Sequence, residues 1–300
     1  MASTRFRSDR GLTARMGLVA VLLVVLYLGF MALLTAYAGI GALPFIALLA
    51  IGIGWAQWHF SDKIAMRAMR AREVTPEQAP ELHGVIDRLV ALADMPKPRV
   101  AVADTDLPNA FATGRTPSHA VVCVTTGLLR RLDADEVEGV LAHELSHVAH
   151  RDVSVMTVAA TLGVLAGLIM RWGLYFGGGS RDRNNAVVFI AVWAASILVY
   201  AISFLLIRAL SRYRELAADR AAAYLTGKPS ALAAALTRIS GDIARIPTKD
   251  LRAAESMNAF FITPAIRGQS LGAIFSTHPP LEQRLAQLAN VSAELGRPMA

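Results

Sequence analysis

Ala142-His143-Glu144-Leu145-Ser146-His147 is the stretch that decides how this chain is read. It contains His-Glu-x-x-His. On a helix, His143 and His147 project from one face, one turn apart. Two neutral imidazoles held that way can share one tetrahedral zinc ion. Glu144 follows the first ligand directly, so its carboxylate can reach a water beside the metal and take its proton. The spacing therefore supplies two ligands and a general base. The alternative is a chance pattern on a solvated helix, and the flanking residues argue against it. Asp133 is placed to cap a helix, and Glu136, three residues on, completes a capping box. Val137, Val140, Leu141 and Leu145 follow at helical spacing, so the helix has a packed side.

Composition places this helix in unusual company. The chain has 300 residues, 54% hydrophobic and 18% charged, with a mean hydropathy of +0.44. That is too apolar for an ordinary soluble domain and implies membrane spans plus a soluble part. The net charge is +7. In a membrane protein such an excess marks cytoplasmic flanks, and no basic-aromatic pattern of a nucleic-acid module is present. A single cysteine, Cys123, excludes an intrachain disulfide and fits a small buried side chain in a reducing compartment.

Outward from the motif, the spans are read as two pairs. Arg5, Arg7, Arg10 and Arg15 precede an uncharged run from Met16 to Tyr37, long enough to cross a bilayer. Its length, and the second run that follows at once, favour a retained span over a signal peptide. Ile40 to Trp58 is that second run, with Trp55 and Trp58 at its far end and Lys63, Arg67, Arg70 and Arg72 beyond. The positive-inside rule puts both flanks in the cytoplasm. Val153 to Met170 and Ala186 to Ile207 form the second pair, with a polar, glycine-rich loop expected over 171–185. A buried helical hairpin is the alternative for 153–207. Between the pairs, residues 76–152 read as α+β: a helix over 76–95, strands at 99–103 and 119–125, and a turn-rich piece from Leu107 to Gly114. After them come helices over 213–225, 230–246 and 281–295, with an irregular 258–272.

Two histidines leave a zinc site short of one protein ligand. His150 shares the face of His143 but lies roughly 10 Å further along the axis, too far for the same ion. Glu215 and Asp219 lie four apart on a second helix, where one could ligate and the other accept the free N–H of a ligand histidine. A solvated acidic pair among Arg212, Arg214 and Arg220 is the equal alternative on spacing alone. Topology adds a constraint: His143 and Glu215 share a metal only if an even number of crossings separates them. The two apolar runs between them satisfy this.

The longer strings resemble a known family. His143-Glu144-Leu145-Ser146-His147 continues as Val148-Ala149-His150-Arg151-Asp152, and Ser211-Arg212-Tyr213-Arg214 precedes Glu215 to Asp219. Asn109-Ala110-Phe111-Ala112-Thr113-Gly114 lies before the motif and Ser276-Thr277-His278-Pro279-Pro280 after it. Together, over roughly 75–290, they resemble the HtpX family of bacterial membrane zinc metalloproteases, related to CAAX prenyl endopeptidases. The resemblance implies one Zn2+ held by His143, His147 and Glu215, with Glu144 as general base and Asp219 orienting a ligand histidine. It implies that Asn109 belongs to the edge that holds substrate backbone and that His278 stabilises the oxyanion. His150 departs from the family, which usually has Asn there.

The expected fold class is a mainly α membrane protein with an α+β zincin-type (gluzincin-like) catalytic domain and about four transmembrane helices. The expected segments are a hairpin over 1–60, catalytic parts at 61–152 and 208–300, and a second hairpin over 153–207. The expected activity is endopeptidase action on misfolded or damaged membrane proteins at a bacterial inner membrane, with the site facing the cytoplasm. Protein substrates and the lipid bilayer are the expected partners, and nucleic acid is not. The alternatives are a catalytically idle zinc-bound membrane adaptor and a prenyl-protein-type protease. A peptide-binding edge would favour the endopeptidase.

Overall fold

The computed structural model describes residues 10–38, 43–176, 183–245 and 278–296. The glycines at 177–179 and the expected irregular segment 258–272 lie outside them, as do Arg5, Arg7, Ser276 and Thr277.

The apolar runs form helices α1 (Arg10–Ala38), α2 (Leu43–His59), α7 (Asp152–Phe176) and α8 (Arg183–Thr226). Of these, α1, α7 and α8 pack on one another around Leu23, Tyr27, Phe30, Ala159, Ala166 and Val199, and α2 packs on α7. Small residues allow close approach, as is usual between membrane helices. A Cβ at Gly54 of α2 would lie 2.8 Å from Thr161 Oγ1 of α7, and one at Gly167 of α7 would lie 3.2 Å from the Tyr200 ring of α8. The outward faces carry large exposed apolar side chains, among them Val25, Leu28, Phe45, Leu48 and Ile190. Two of these helices, at Thr13–Thr35 and Phe189–Thr226, are long and apolar enough to cross a membrane. With 17 residues, α2 rises about 26 Å, just under a typical ~30 Å hydrocarbon core. The helices also reach into the expected 171–185 loop: α7 runs on to Phe176 and α8 begins at Arg183.

The rest of the described chain is built on a four-stranded sheet, β1 (Arg72–Glu73), β2 (Arg99–Ala103), β3 (Ala110–Thr113) and β4 (Val121–Thr125), in the order β1-β2-β4-β3. β4 is buried along its whole length, so its near-continuous Val-Val-Cys-Val run suits a central strand. Among the described residues β3 pairs antiparallel with β4 only and is the edge of the sheet. A turn was expected over Leu107 to Gly114. The small residues of Ala110–Thr113 have little strand propensity of their own, and the β4 ladder supplies the conformation.

Four shorter helices pack on the sheet side. α4 (Pro80–Ala93) starts at a proline, ends at the left-handed Asp94 and buries Leu82, Ile86, Leu89 and Val90. It is shorter than the 76–95 expected, because residues 76–78 form a turn. α3 (Ser61–Ala68) and α5 (Thr126–Arg131) flank the sheet. α6 (Ala134–Ala149) carries the His-Glu-x-x-His stretch, and its capping box forms as read: Asp133 Oδ1 accepts from the Glu136 N–H at 2.9 Å, and Glu136 Oε2 accepts from the Asp133 N–H at 3.0 Å. α9 (Pro229–Arg245) and α10 (Leu281–Glu294) complete the core.

One apolar core joins Leu82 to Val148 with Ala221 to Val291, so the stretches before and after α7 share one core. α8 is 44 residues, about 66 Å. Its first half belongs to the apolar bundle and its second half to this core.

Candidate active site

α6 is buried on almost every face. Leu141 and Leu145 enter the core while His143, Glu144 and His147 point to the opposite side. α8 crosses there and brings Glu215. His143 Nε2 and His147 Nε2 lie 3.2 Å apart. Glu215 Oε2 is 3.5 Å from the first and Glu215 Oε1 is 3.4 Å from the second. Bonds of about 2.0–2.1 Å at tetrahedral angles place donor atoms about 3.3–3.4 Å from one another. One donor atom from each of the three side chains lies within 4.8 Å of the others, so two imidazoles and one carboxylate could hold a single metal ion.

Each histidine is oriented from behind. His143 Nδ1 lies 2.9 Å from Asp219 Oδ1, and Asp219 receives two hydrogen bonds from the buried Arg284, at 2.7 and 2.6 Å. His147 Nδ1 lies 2.5 Å from Asp152 Oδ2. Asp152 in turn pairs with the buried Arg214, whose guanidinium also donates to the Asp152 carbonyl at 2.8 Å. Such histidine–carboxylate pairs fix the tautomer that leaves Nε2 free for a metal. Two buried carboxylates without these arginines would be costly to hold.

The electrostatics follow from burial and neighbours. Burial alone would raise Glu215, yet His278, His143 and His147 hold it well below the usual carboxylate range. Burial raises Glu144, with Glu215 adding to the effect and the two histidines and the Ala112 N–H opposing it. Burial would lower His143, but Asp219 and Glu215 more than offset it.

The expected residues are found as follows. His143, Glu144, His147, Glu215 and Asp219 are brought together. His278 is buried, with Nδ1 2.9 Å from Glu215 Oε2, and borders the same cleft. Asn109 is fully buried just ahead of β3. Its N–H donates to Thr125 Oγ1 and its carbonyl accepts from the Thr125 N–H, both at 2.9 Å. The residues that border the cleft are Ala110 to Thr113 of β3 itself. His150 ends α6, with Nδ1 2.7 Å from the Ser146 carbonyl, a local hydrogen bond as expected for a residue too distant to ligate. Asp152, Arg214 and Arg284 were not predicted. The signal for Asp152 was its position five residues past His147, across the turn at Arg151 with its positive φ of 56°. Arg284 stands in an ordinary amphipathic pattern, and nothing local marks it.

The cleft has a volume of about 560 Å³ and runs between β3, Glu144, His147 and the Met156 and Arg214 side of the bundle. A peptide can be held along such a free strand edge by backbone hydrogen bonds.

The model of Peptidase family M48 matches residues 76–292. The chain belongs to this family. It is 63% identical to "Protease HtpX homolog 1" of Streptomyces coelicolor over 98% of this chain and 97% of that one. It is 53% identical to "Protease HtpX homolog" of Moorella thermoacetica over 96% and 97%. The crystal structure of S. mikatae Ste24p is similar in fold, with a TM-score of 0.53 at 16% identity, covering 93% of this chain and 66% of that one. The protein is a membrane metalloprotease, with a mostly helical, zincin-like fold and, among the described residues, two candidate membrane helices.

Proposed function

We propose that the protein is a zinc-dependent endopeptidase that cleaves misfolded or damaged membrane proteins at the cytoplasmic face of a bacterial inner membrane. The observation that carries the metal site is the convergence of His143, His147 and Glu215, whose single donor atoms lie within 4.8 Å of one another. When bound, zinc supplies a Lewis acid for the scissile carbonyl and makes a neighbouring water acidic near neutral pH. Substrate backbone lies along β3. Glu144 takes the proton of the attacking water on its carboxylate and passes it to the leaving amine. Its raised pKa suits a group that must hold that proton between the two steps. His278, at the rim of the cleft, donates to the developing oxyanion. Asp219 and Asp152 keep the histidines in register. Asn109 anchors the start of the substrate-binding edge to β4 through Thr125.

The four apolar helices are read as four spans, with α2 the shortest. Several contacts support one common side for the catalytic parts. Arg15, at the start of α1, lies over the Tyr213 ring of α8, 4.8 Å from its centroid and two residues before Glu215. Trp58, at the end of α2, donates to Ser154 Oγ at the start of α7 at 2.9 Å. The basic flanks at that side make it cytoplasmic. The open strand edge favours a peptide substrate over an enclosed prenyl chamber, and an intact Glu144 beside the triad speaks against an idle adaptor.

The test is a comparison of wild type with Glu144→Gln, purified in detergent under chelator and then supplied with zinc. Both proteins are expected to bind one metal. Cleavage of an unfolded protein is expected to fall about 10²–10⁴-fold in the variant. Equal cleavage by the two would overturn the mechanism.

A further inference from the structure

A second cavity lies at the foot of α2, on the other side of α3 from the active-site cleft. It has a volume of about 450 Å³ and is lined by His59, Asp62, Lys63, Arg99, Arg115, Ser118 and His119. These residues come from α2, α3, β2 and the segment after β3, so the charge is gathered by the fold and not by a basic run. Arg99 is occupied by Asp62 at 2.6 Å and Glu73 at 2.5 Å. Lys63 and Arg115 have no carboxylate partner among the described residues, and the Lys63 ammonium lies over the Phe60 ring at 5.6 Å. The cavity is thus a cationic hollow with imidazoles and a hydroxyl on its wall, the chemistry that holds a phosphate ester.

Its position narrows the ligand. Trp55, 54% exposed, stacks on His59 at 4.8 Å, and Phe60 is exposed beside Lys63. Aromatic and apolar groups next to cations mark the depth where a bilayer meets water. A phosphate there would arrive attached to acyl chains, which would run up the exposed apolar face of α2. We propose that this cavity binds the phosphate headgroup of an anionic membrane lipid. The proposal rests on the reading that α2 lies in the bilayer.

The site is joined to the catalytic machinery. Asp62 and Lys63 of α3 line this cavity, while Ser61 and Ile64 of the same helix line the cleft. The Arg115 carbonyl, just past β3, accepts from Ser154 Oγ at 3.1 Å, and Ser154 follows two residues after the Asp152 that holds His147. A bound headgroup therefore bears on the end of the substrate edge and on the start of α7.

The experiment measures binding, not proteolysis, and uses the full chain. Floatation with neutral phosphatidylcholine vesicles first checks membrane residence. Short-chain phosphatidylglycerol and, separately, inorganic phosphate are then titrated against the protein in neutral detergent, with wild type, Lys63→Gln/Arg115→Gln and the distant Lys97→Gln compared. Wild type and Lys97→Gln should bind the lipid alike, and the double variant about 30-fold more weakly, at roughly tenfold-or-less per cation near a membrane surface. Lys63→Glu, at an exposed position, repeats the test if the double variant does not fold. Equal lipid binding by all variants overturns the proposal. Phosphate binding without lipid binding also overturns it, leaving a free-anion site. Failure to float with vesicles would instead remove the membrane reading on which it rests.

Discussion

His143 and His147 each present Nε2 to the metal position because a buried aspartate holds Nδ1, and each aspartate is held by a buried arginine. Asp152→Asn should lower metal affinity about 10–100-fold, read by competition with a chelating dye. Arg284→Met leaves Asp219 buried with no cation against it and only His143 Nδ1 as a partner. It should cost about 3–5 kcal/mol in stability as well as metal affinity, read by denaturant melts of the metal-free protein. A variant as stable as wild type would show that Arg284 is dispensable for holding Asp219. Cys123 is a different case. Burial in β4 pushes its thiol up to about 12, so the thiolate that reacts with alkylating agents is scarce until the pH approaches that value. At pH 8 a maleimide should label it only after denaturation.

At the scale of elements, the site depends on how closely α6 sits against its neighbours. Gly139 faces α9, where an added Cβ would lie 3.2 Å from Leu232 N, Cα and Cβ. The neighbour there is backbone and cannot rotate away. Gly139→Val should therefore destabilise the catalytic core by about 1–3 kcal/mol, seen as a lower melting temperature. An unchanged melt would mean that α9 shifts freely on α6. Element reading also had a clear success and a clear miss. The capping box of Asp133 and Glu136 was legible because both partners lie within one turn. The strand at Ala110–Thr113 was not, because it pairs with β4, between 8 and 14 residues on in sequence, and alanine carries no strand signal.

For the whole molecule, α8 ties the apolar bundle to the catalytic core through one continuous helix, so the orientation of the bundle fixes the side on which the site faces. Glu77 is exposed in the turn before α4. A Glu77→Cys protein, with Cys123 silent, should react with a membrane-impermeant maleimide in inverted vesicles and not in intact cells. Labelling of intact cells would place the site outside. What the sequence determined by itself was local: the helix of His143, Glu144 and His147, its cap, the apolar runs, and Glu215 and Asp219 four apart on one face. Periodicity and short-range chemistry write such features directly. Only the tertiary structure decided that Glu215 stands beside the α6 histidines while Asp219 lies behind His143, and that Asp152, Arg214 and Arg284 support them. Those partners are separated by up to 141 residues, as between His143 and Arg284. A charge in an amphipathic helix looks the same in sequence whether it faces water or a buried carboxylate.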